Sequence, residues 1–375
     1  MTETPELPWH ALDLATEARR HERARALISR LSPELFALKV RRVRGQPFSF
    51  GGHEYLRDLY ADQHPHVVIE KAAKVGYHVL SGGVIEPACL DVLFPGWRQD
   101  EDRFMTEALA QKVARDDIYF LTPRGQIKIP SIVVPRAMKH RGDLAISVSK
   151  LTAWLAHVAT QLGVEIYSGF SANDLVVENG VVRGVVLTER GLDADGRKKS
   201  NYQPSEVLTA KAVVLADGCA GTLSTKLIET FNLAQDKNPQ VYSIGVKQII
   251  RLPANNAFGK KRSLHVLGYP NPLDVFGGGF LYDMGHDLLA IGLILGLDWR
   301  YADFDPQNEL ERLKAHPFIK KIIEGGEVVA AGAKMIPEGG YYALPKPFVS
   351  GAVIVGDAAG FVNIAKFKGL HLAIQ

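Results

Sequence analysis

The stretch HVVIEKAAKVGYHVLSGG, residues 66–83, decides how the rest of the chain is read. Val67, Val68 and Ile69 make a short apolar run bounded by polar residues, the pattern of a strand in a parallel sheet. The run closes on Glu70, an acid at a strand end, where the hydroxyls of an adenosine ribose would donate to it. The second strand of a nucleotide-binding βαβ unit follows, by about twenty residues, a turn of the form G-x-G-x-x-G. No such turn lies upstream or elsewhere in the chain. Glu70 is therefore either an ordinary strand-end acid or part of a nucleotide site that lacks its first strand and loop.

Two other strand ends carry the same kind of signal. AVVLADGCAG (Ala212–Gly221) is an apolar strand ending in Asp-Gly, and GAVIVGDAAGFVN (Gly351–Asn363) is one ending in Gly-Asp before a turn of small residues. Each puts glycine where a backbone must approach a ligand closely. The second also sets an acid and free backbone N–H groups at a helix start. In the order VVIE, VVLADG, VIVGD, the three match flavoprotein hydroxylase-like folds, where the acid of the third motif holds the ribityl chain of FAD.

Between these motifs, YFLTPRGQIKIP reads as a hairpin, and DLVVENGVVRGVVL as another, turning at Asn179-Gly180. Leu151, Trp154, Leu155, Val158 and Leu162 fall at helical spacing, with Gly163 as the stop. From Val241 to Trp299 strands dominate and predict an antiparallel meander; NELERLKAHPFIKKIIEGG predicts a helix, and KFKGLHLAIQ begins another. The expected class is α+β: an incomplete α/β FAD-binding domain with an antiparallel β-rich lobe inserted in it. Its parts are a helix-and-loop segment at 1–65, the first part of the FAD domain at 66–240, the strand-rich lobe at 241–330, and the final part at 331–375.

Composition removes several classes. A content of 46% hydrophobic and 23% charged residues is that of a globular protein, and a net charge of +3 does not argue for nucleic acid. Only Cys89 and Cys219 occur, which excludes a disulfide scaffold, a cysteine-built metal site and a four-cysteine iron–sulfur cluster. Residues 15–31 could form an arginine-rich amphipathic helix, read here as a solvated face. His64, His66 and His78 fit no metal-ligand spacing, and no general base is assigned.

From about Val67 to its end, the chain resembles electron transfer flavoprotein–ubiquinone oxidoreductases. The resemblance rests on stretches such as EKAAKVGYHVLSGGVIEP, GCAGTLSTKLI, GYPNPLDVFGGGFLYDM, HPFIKKIIEGG and EGGYYALPKPFVSGAVIVGDAAGFVN. It implies a flavoenzyme lying on one membrane leaflet, on the matrix face in mitochondria or the cytoplasmic face in bacteria. Such an enzyme takes electrons from a soluble electron transfer flavoprotein and passes them to ubiquinone. Carried over, Glu70 would bind the ribose, and Gly218 and Gly221 would line the adenine side. Asp357 would hold the ribityl hydroxyls, and Gly360, Asn363, Lys368 and Gly369 would border the isoalloxazine. Phe276, Gly277, Gly278, Phe280 and Tyr282 would form the quinone pocket, glycines admitting a flat ring between aromatic walls. The family's glycine-rich FAD loop and its C-terminal iron–sulfur domain have no counterpart in this chain, and the helix after Asp357 is cut short.

Residues 8–76 are instead similar to the N-terminal part of phage terminase large subunits, where a comparable phrase leads into an ATP-binding loop. Here Gly76 is followed by Tyr77 and His78 rather than the residues that hold phosphate and Mg²⁺. A junction near residues 66–76 is the expectation that follows. The alternatives to the quinone oxidoreductase are a related FAD-dependent dehydrogenase with another acceptor, or a non-catalytic chimeric fragment.

Overall fold

The computed structural model describes residues 66–80, 82–94, 97–107, 110–366 and 368–374, and the backbone of two short paired strands, Arg42–Val43 and Gln46–Pro47. The chain divides into two compact units, Met1–His64 and Pro65–Gln375. Apart from those two strands, the expected N-terminal segment and its helix at 15–31 lie outside the described residues.

In the second unit the strands are β1 (Val67–Glu70), β2 (Gly82–Ile85), β3 (Ala110–Lys112), β4 (Arg115–Leu121), β5 (Gln126–Lys128), β6 (Leu144–Ser147) and β7 (Glu165–Ser168). They continue as β8 (Ala172–Glu178), β9 (Val181–Leu187), β10 (Arg190–Leu192), β11 (Lys198–Gln203), β12 (Val207–Thr209) and β13 (Val213–Leu215). The last seven are β14 (Tyr242–Arg251), β15 (Arg262–Gly268), β16 (Gly277–Asp283), β17 (Leu288–Gly296), β18 (Glu327–Pro337), β19 (Phe348–Val349) and β20 (Ala352–Ile354). The helices are α1 (Ala88–Leu93), α2 (Glu101–Glu107), α3 (Val148–Gln161), α4 (Thr222–Thr230), α5 (Pro306–Ala315), α6 (Pro317–Ile322) and α7 (Leu370–Ile374).

A seven-stranded sheet, ordered β18-β14-β17-β16-β15-β4-β5, is the frame of the molecule. Strands of period two turn alternate residues to opposite faces. One face carries Leu264, Val266, Leu281, Ile291 and Leu293, packed on Leu310 and Leu313 of α5 and Ile319 and Ile322 of α6. Each of these buried side chains contributes about 1.5–3 kcal/mol relative to exposure. The opposite face carries Phe280, Tyr282 and Ala290, which pack on Val84 and Ala145 of a second, three-stranded sheet, β2-β6-β3. This is more than the expected meander. β4 and β5 come from the early part of the chain, and β4 runs parallel to β15. The last strand of the lobe continues to Pro337, so the expected boundary at 330 falls inside a strand.

Local signals explain the helix ends. Asp305 caps α5, accepting from the N–H groups of Gln307 and Asn308, with Pro306 in the first turn where its missing N–H costs nothing. The single expected helix over 308–326 is instead two, because Pro317 cannot continue α5; it starts α6 with His316 as the cap. Ser147 caps α3, which ends before Gly163 at φ +89°. Asn179 and Gly180, both at positive φ, turn β8 into β9 as the sequence predicts.

The parallel part of the fold is in two pieces. β1 pairs in parallel with β7, and β13 in parallel with β20, whose other neighbour is the antiparallel β19. Among the described residues β1 and β13 each have one edge without a strand. Val67, Val68 and Val214 are correspondingly exposed, at 49%, 44% and 54%. Strands of this composition read as buried on both faces, and these valines are not so covered by the described residues. After Glu70 the chain turns back at Gly76, whose carbonyl accepts from Ser149 Oγ at 2.7 Å. A Cβ at this φ of +85° would sit 2.6 Å from the Ser149 carbonyl oxygen, so glycine is required here by packing.

Candidate functional site

The turn Gly356–Ala359 leaves the end of β20 and places Asp357 half-buried. Gly360 closes the turn in the left-handed region at φ +77°; a Cβ there would lie 2.7 Å from Gln240 Nε2. Burial pushes the Asp357 carboxyl above its ordinary pKa, against the pull of Lys247 and Lys334. Lys247 lies on β14 and Lys334 on β18, which pair side by side, Gly245 facing Lys334 and Lys247 facing Gly332. Burial brings Lys247 down to about 8, opposed by Asp357 and reinforced by Lys334. The side chain of Asp357 accepts no hydrogen bond from the described residues, so its oxygens face two cations with acceptor capacity left over. That arrangement suits a ligand that presents hydroxyl donors and carries negative charge.

Cys219 borders the same space. Its thiol is pushed up to about 12, first by burial and then by Asp357, with Lys334 opposing. Burial likewise raises Cys89 to about 11, so neither cysteine is a thiolate at neutral pH.

A second charged group lies in the loop that follows. Asn363 and Lys368 pair across it as an isolated bridge, Asn363 N donating to the Lys368 carbonyl at 2.9 Å. Lys368 is 4% exposed, and its ammonium donates to Asp143 Oδ2 at 2.5 Å and lies 3.5 Å from Glu86 Oε1. Lys366 donates to the same Glu86 oxygen at 2.8 Å. Burial would raise Glu86, but Lys366 and Lys368 prevail and hold it below its ordinary value. A Cβ on Gly369 would stand 3.5 Å from Asp357 Oδ1, so Gly369 lies beside Asp357, while the Lys368 ammonium is held by Asp143 and Glu86.

The segment Phe276–Tyr282 is almost entirely strand β16. Its glycines meet protein on both sides: a Cβ on Gly277 would reach the Ile294 carbonyl oxygen at 2.0 Å, and one on Gly278 the Val266 carbonyl oxygen at 2.9 Å. Phe280 and Tyr282 share a face, stacked at 4.7 Å, and the Phe280 ring covers Gly292 on β17. Both are buried, whereas Phe276 is 53% exposed. Gly278→Val, the substitution a quinone-pocket reading invites, would therefore damage the sheet itself and says little about a ligand.

The remaining expected residues lie elsewhere in the fold. Glu70 Oε1 accepts from its own turn, at Ala72 N, at 2.6 Å. Gly218 is at φ +79° with open space where a Cβ would be. Gly221 packs on the Asp217 carboxylate, whose Oδ2 accepts from Leu223 N and Ser224 N and so caps α4. Asp217 was legible as a motif member but not as a cap. Sequence reading passed over Lys247, Lys334, Glu86 and Asp143. The inward phase of YSIGVKQII could have flagged Lys247, a charge at an alternate position of an apolar strand. Among the described residues no cluster of His, Cys, Asp and Glu could hold a metal ion.

Fold comparison defines the class first. A geranylgeranyl bacteriochlorophyll reductase-like protein from Thermoplasma acidophilum superposes with a TM-score of 0.60 at 19% identity, over 83% of this chain and 69% of that one. A flavin-dependent brominase gives 0.57 at 14% identity, over 83% and 70%. The architecture is that of these flavoproteins. Residues 49–242 match the family described as FAD binding domain, on both sides of the stretch 66–76, and residues 242–336 match the ETF-QO ubiquinone-binding family. A probable mitochondrial electron transfer flavoprotein-ubiquinone oxidoreductase of Schizosaccharomyces pombe is 40% identical over 310 residues, 82% of this chain and 48% of that protein. The Pseudomonas aeruginosa electron transfer flavoprotein-ubiquinone oxidoreductase is 39% identical over 312 residues, 82% of this chain and 55% of its own. The chain belongs to the electron transfer flavoprotein–ubiquinone oxidoreductase family. It spans about half the length of the curated relatives it matches.

Proposed function

We propose that this chain binds FAD and carries electrons from a reduced electron transfer flavoprotein to ubiquinone. The observation that carries the reading is a meeting of elements. The sheet strands in the ubiquinone-binding match bring Lys247 and Lys334 to Asp357, at the turn ending the last parallel strand. Asp357 would accept from the ribityl hydroxyls, the two lysines would balance negative charge, and Gly360, Asn363, Lys368 and Gly369 would border the ring. When bound, FAD supplies the reversible electron acceptance that no side chain here provides. Lys247 and Lys334 make added negative charge in the half-buried space less costly, because opposite charge nearby favours it.

Glu70 and Gly218 would serve the adenosine end, and Phe276 and Gly277, at the exposed start of β16, the quinone. The described residues contain no glycine-rich turn for the pyrophosphate, which makes cofactor retention the decisive observation. The purified chain, mixed with FAD and gel-filtered, is expected to keep a flavin absorption spectrum and to reduce a short-chain quinone when given reduced electron transfer flavoprotein. A colourless protein after gel filtration would overturn the reading. Flavin retention with turnover of another acceptor, and none of quinone, would favour the related dehydrogenase.

We further propose that the chain meets a membrane surface. No helix among the described residues is long and apolar enough to cross one. Along the edge hairpin β4–β5 and the loop after it, Ile127, Ile132 and Val133 are 62%, 91% and 66% exposed beside Arg124, Lys128 and Arg136. Apolar tips flanked by cations suit an anionic bilayer interface. The double change Ile132→Glu, Val133→Glu is expected to reduce sedimentation with anionic vesicles at least several-fold while leaving the fold intact. Unchanged sedimentation would count against this face.

A further inference from the structure

Gln240 lies immediately before β14 and has no role in the assignments above. Its side-chain amide is fixed at one end and unused at the other. Oε1 accepts from the N–H groups of Gly339 at 2.5 Å and Val241 at 3.1 Å. Two backbone donors converging on one end identify that end as the carbonyl, so the other end is the NH₂ group. Nε2 therefore carries two N–H donors, and neither finds an acceptor among the described residues.

The amide lies between two glycines that make room for it. A Cβ on Gly339 would stand 2.4 Å from Oε1, and one on Gly360 would stand 2.7 Å from Nε2, so a side chain at either position would displace it. Backbone pairing holds the surrounding chain: Glu338 N donates to the Val241 carbonyl at 2.7 Å, and Asn238 N to the Tyr342 carbonyl at 3.0 Å. Gln240 thus ties the start of β14 to the loop after β18, and sets its NH₂ group against the residue that closes the Asp357 turn.

The backbone of that turn is already paired within itself. The Asp357 carbonyl accepts from Gly360 N at 3.0 Å, the Gly356 carbonyl from Phe361 N at 3.0 Å, and the Gly360 carbonyl from Val362 N at 2.8 Å. Gln240 is half-buried, so a ligand that excluded water from its NH₂ group without accepting from it would bind at a cost. A ligand seated on this turn gains by presenting an acceptor there.

We propose that the Gln240 amide donates a hydrogen bond to the isoalloxazine ring of bound FAD, orienting the ring and favouring its reduced form. The inference rests on the FAD reading, in which Gly360 borders that ring. The ring edge offers carbonyl and imine acceptors, and a fixed NH₂ group selects them over an apolar edge or one that presents donors. Those acceptors gain electron density when the ring takes up electrons, so a donor aimed at them stabilises the reduced ring more than the oxidised one. The cofactor is then read by an acceptor, Asp357, on its ribityl hydroxyls and by a donor, Gln240, on its ring.

Two substitutions separate donation from the other properties of this side chain. Gln240→Glu keeps an acceptor for Gly339 and Val241 but loses the NH₂ group and adds charge. Gln240→Met loses the NH₂ group and the acceptor but adds no charge. Only loss of the donor is common to both. Each is expected to weaken FAD affinity, read by flavin fluorescence, by about 3- to 10-fold, the scale of one hydrogen bond, and to lower the flavin midpoint potential. A direct readout comes from the wild-type chain isotope-labelled at its glutamine side-chain nitrogens. The Gln240 NH₂ resonance, identified by its absence from the two variants, should shift on FAD binding and exchange more slowly with solvent. Wild-type affinity and potential in either variant, or a resonance unmoved in the flavin-loaded chain, overturns the assignment. A wild-type chain that takes up no FAD is a different failure: it refutes the cofactor reading, and with it any flavin contact by Gln240.

Discussion

Asp357→Ala is expected to release the flavin. A carboxylate hydrogen-bonded to hydroxyls contributes about 1.5–3 kcal/mol per charged hydrogen bond, so losing two such bonds weakens FAD binding by at least about 10²-fold. The environment sharpens the effect. Asp357 sits where burial raises its pKa, and Lys247 and Lys334 pull against that rise. With the acid gone, two lysines face each other across the space, and Lys247, already brought down to about 8, should be more readily deprotonated still. Asp357→Asn keeps the shape and one acceptor, and should lose less. The measurement is FAD affinity by quenching of flavin fluorescence on titration. Equal affinity in wild type and Asp357→Ala would show that Asp357 holds no part of the ligand.

The second large effect concerns the frame. Asp117 on β4 is 3% exposed and Arg262 on β15 7% exposed, and they join the two parallel strands. Arg262 Nε and Nη2 lie 3.0 Å and 2.9 Å from Asp117 Oδ2, and Arg115 and Lys128 approach the same carboxylate at 2.7 Å and 2.6 Å. Removing one partner of a buried pair leaves an uncompensated charge and costs about 3–5 kcal/mol. Asp117→Leu is therefore expected to lower the unfolding free energy from urea titration by that amount, with Arg262 stranded at the seam between the strands.

The pH dependence follows with a definite sign. Burial raises the Asp117 pKa, but Lys128, Arg262 and Arg115 outweigh it and the folded value is depressed. The stabilisation is present above the unfolded value of about 3.9 and is lost as pH falls through the folded value. The wild type should lose stability below about pH 4, and Asp117→Leu should lack that part of the loss. Parallel stability curves for the two proteins from pH 3 to 7 would contradict the assignment.

Much of this was readable before any coordinates. The Asn179-Gly180 turn, the stop at Gly163 and the cap-and-proline signal at Asp305-Pro306 are local, and local chemistry dictates them wherever the chain goes. The triple glycine at 277–279 was legible as a place of close approach. What approaches is the neighbouring backbone and the side chains of Val266 and Leu313, which no spacing within the segment could indicate.

By itself the sequence determined the class of fold, the order of the three strand-end motifs and the family. Those properties are written in short stretches of contiguous chain, where hydrophobic period, turn residues and motif order act together. Only the tertiary structure decided which distant charges share a space. It set Lys247 and Lys334 against Asp357, closed Lys368 between Asp143 and Glu86, drew β4 beside β15, and buried His140 over His265. Such pairings depend on strand order and sheet-on-sheet packing, and residues more than a hundred positions apart meet through contacts that no local pattern encodes.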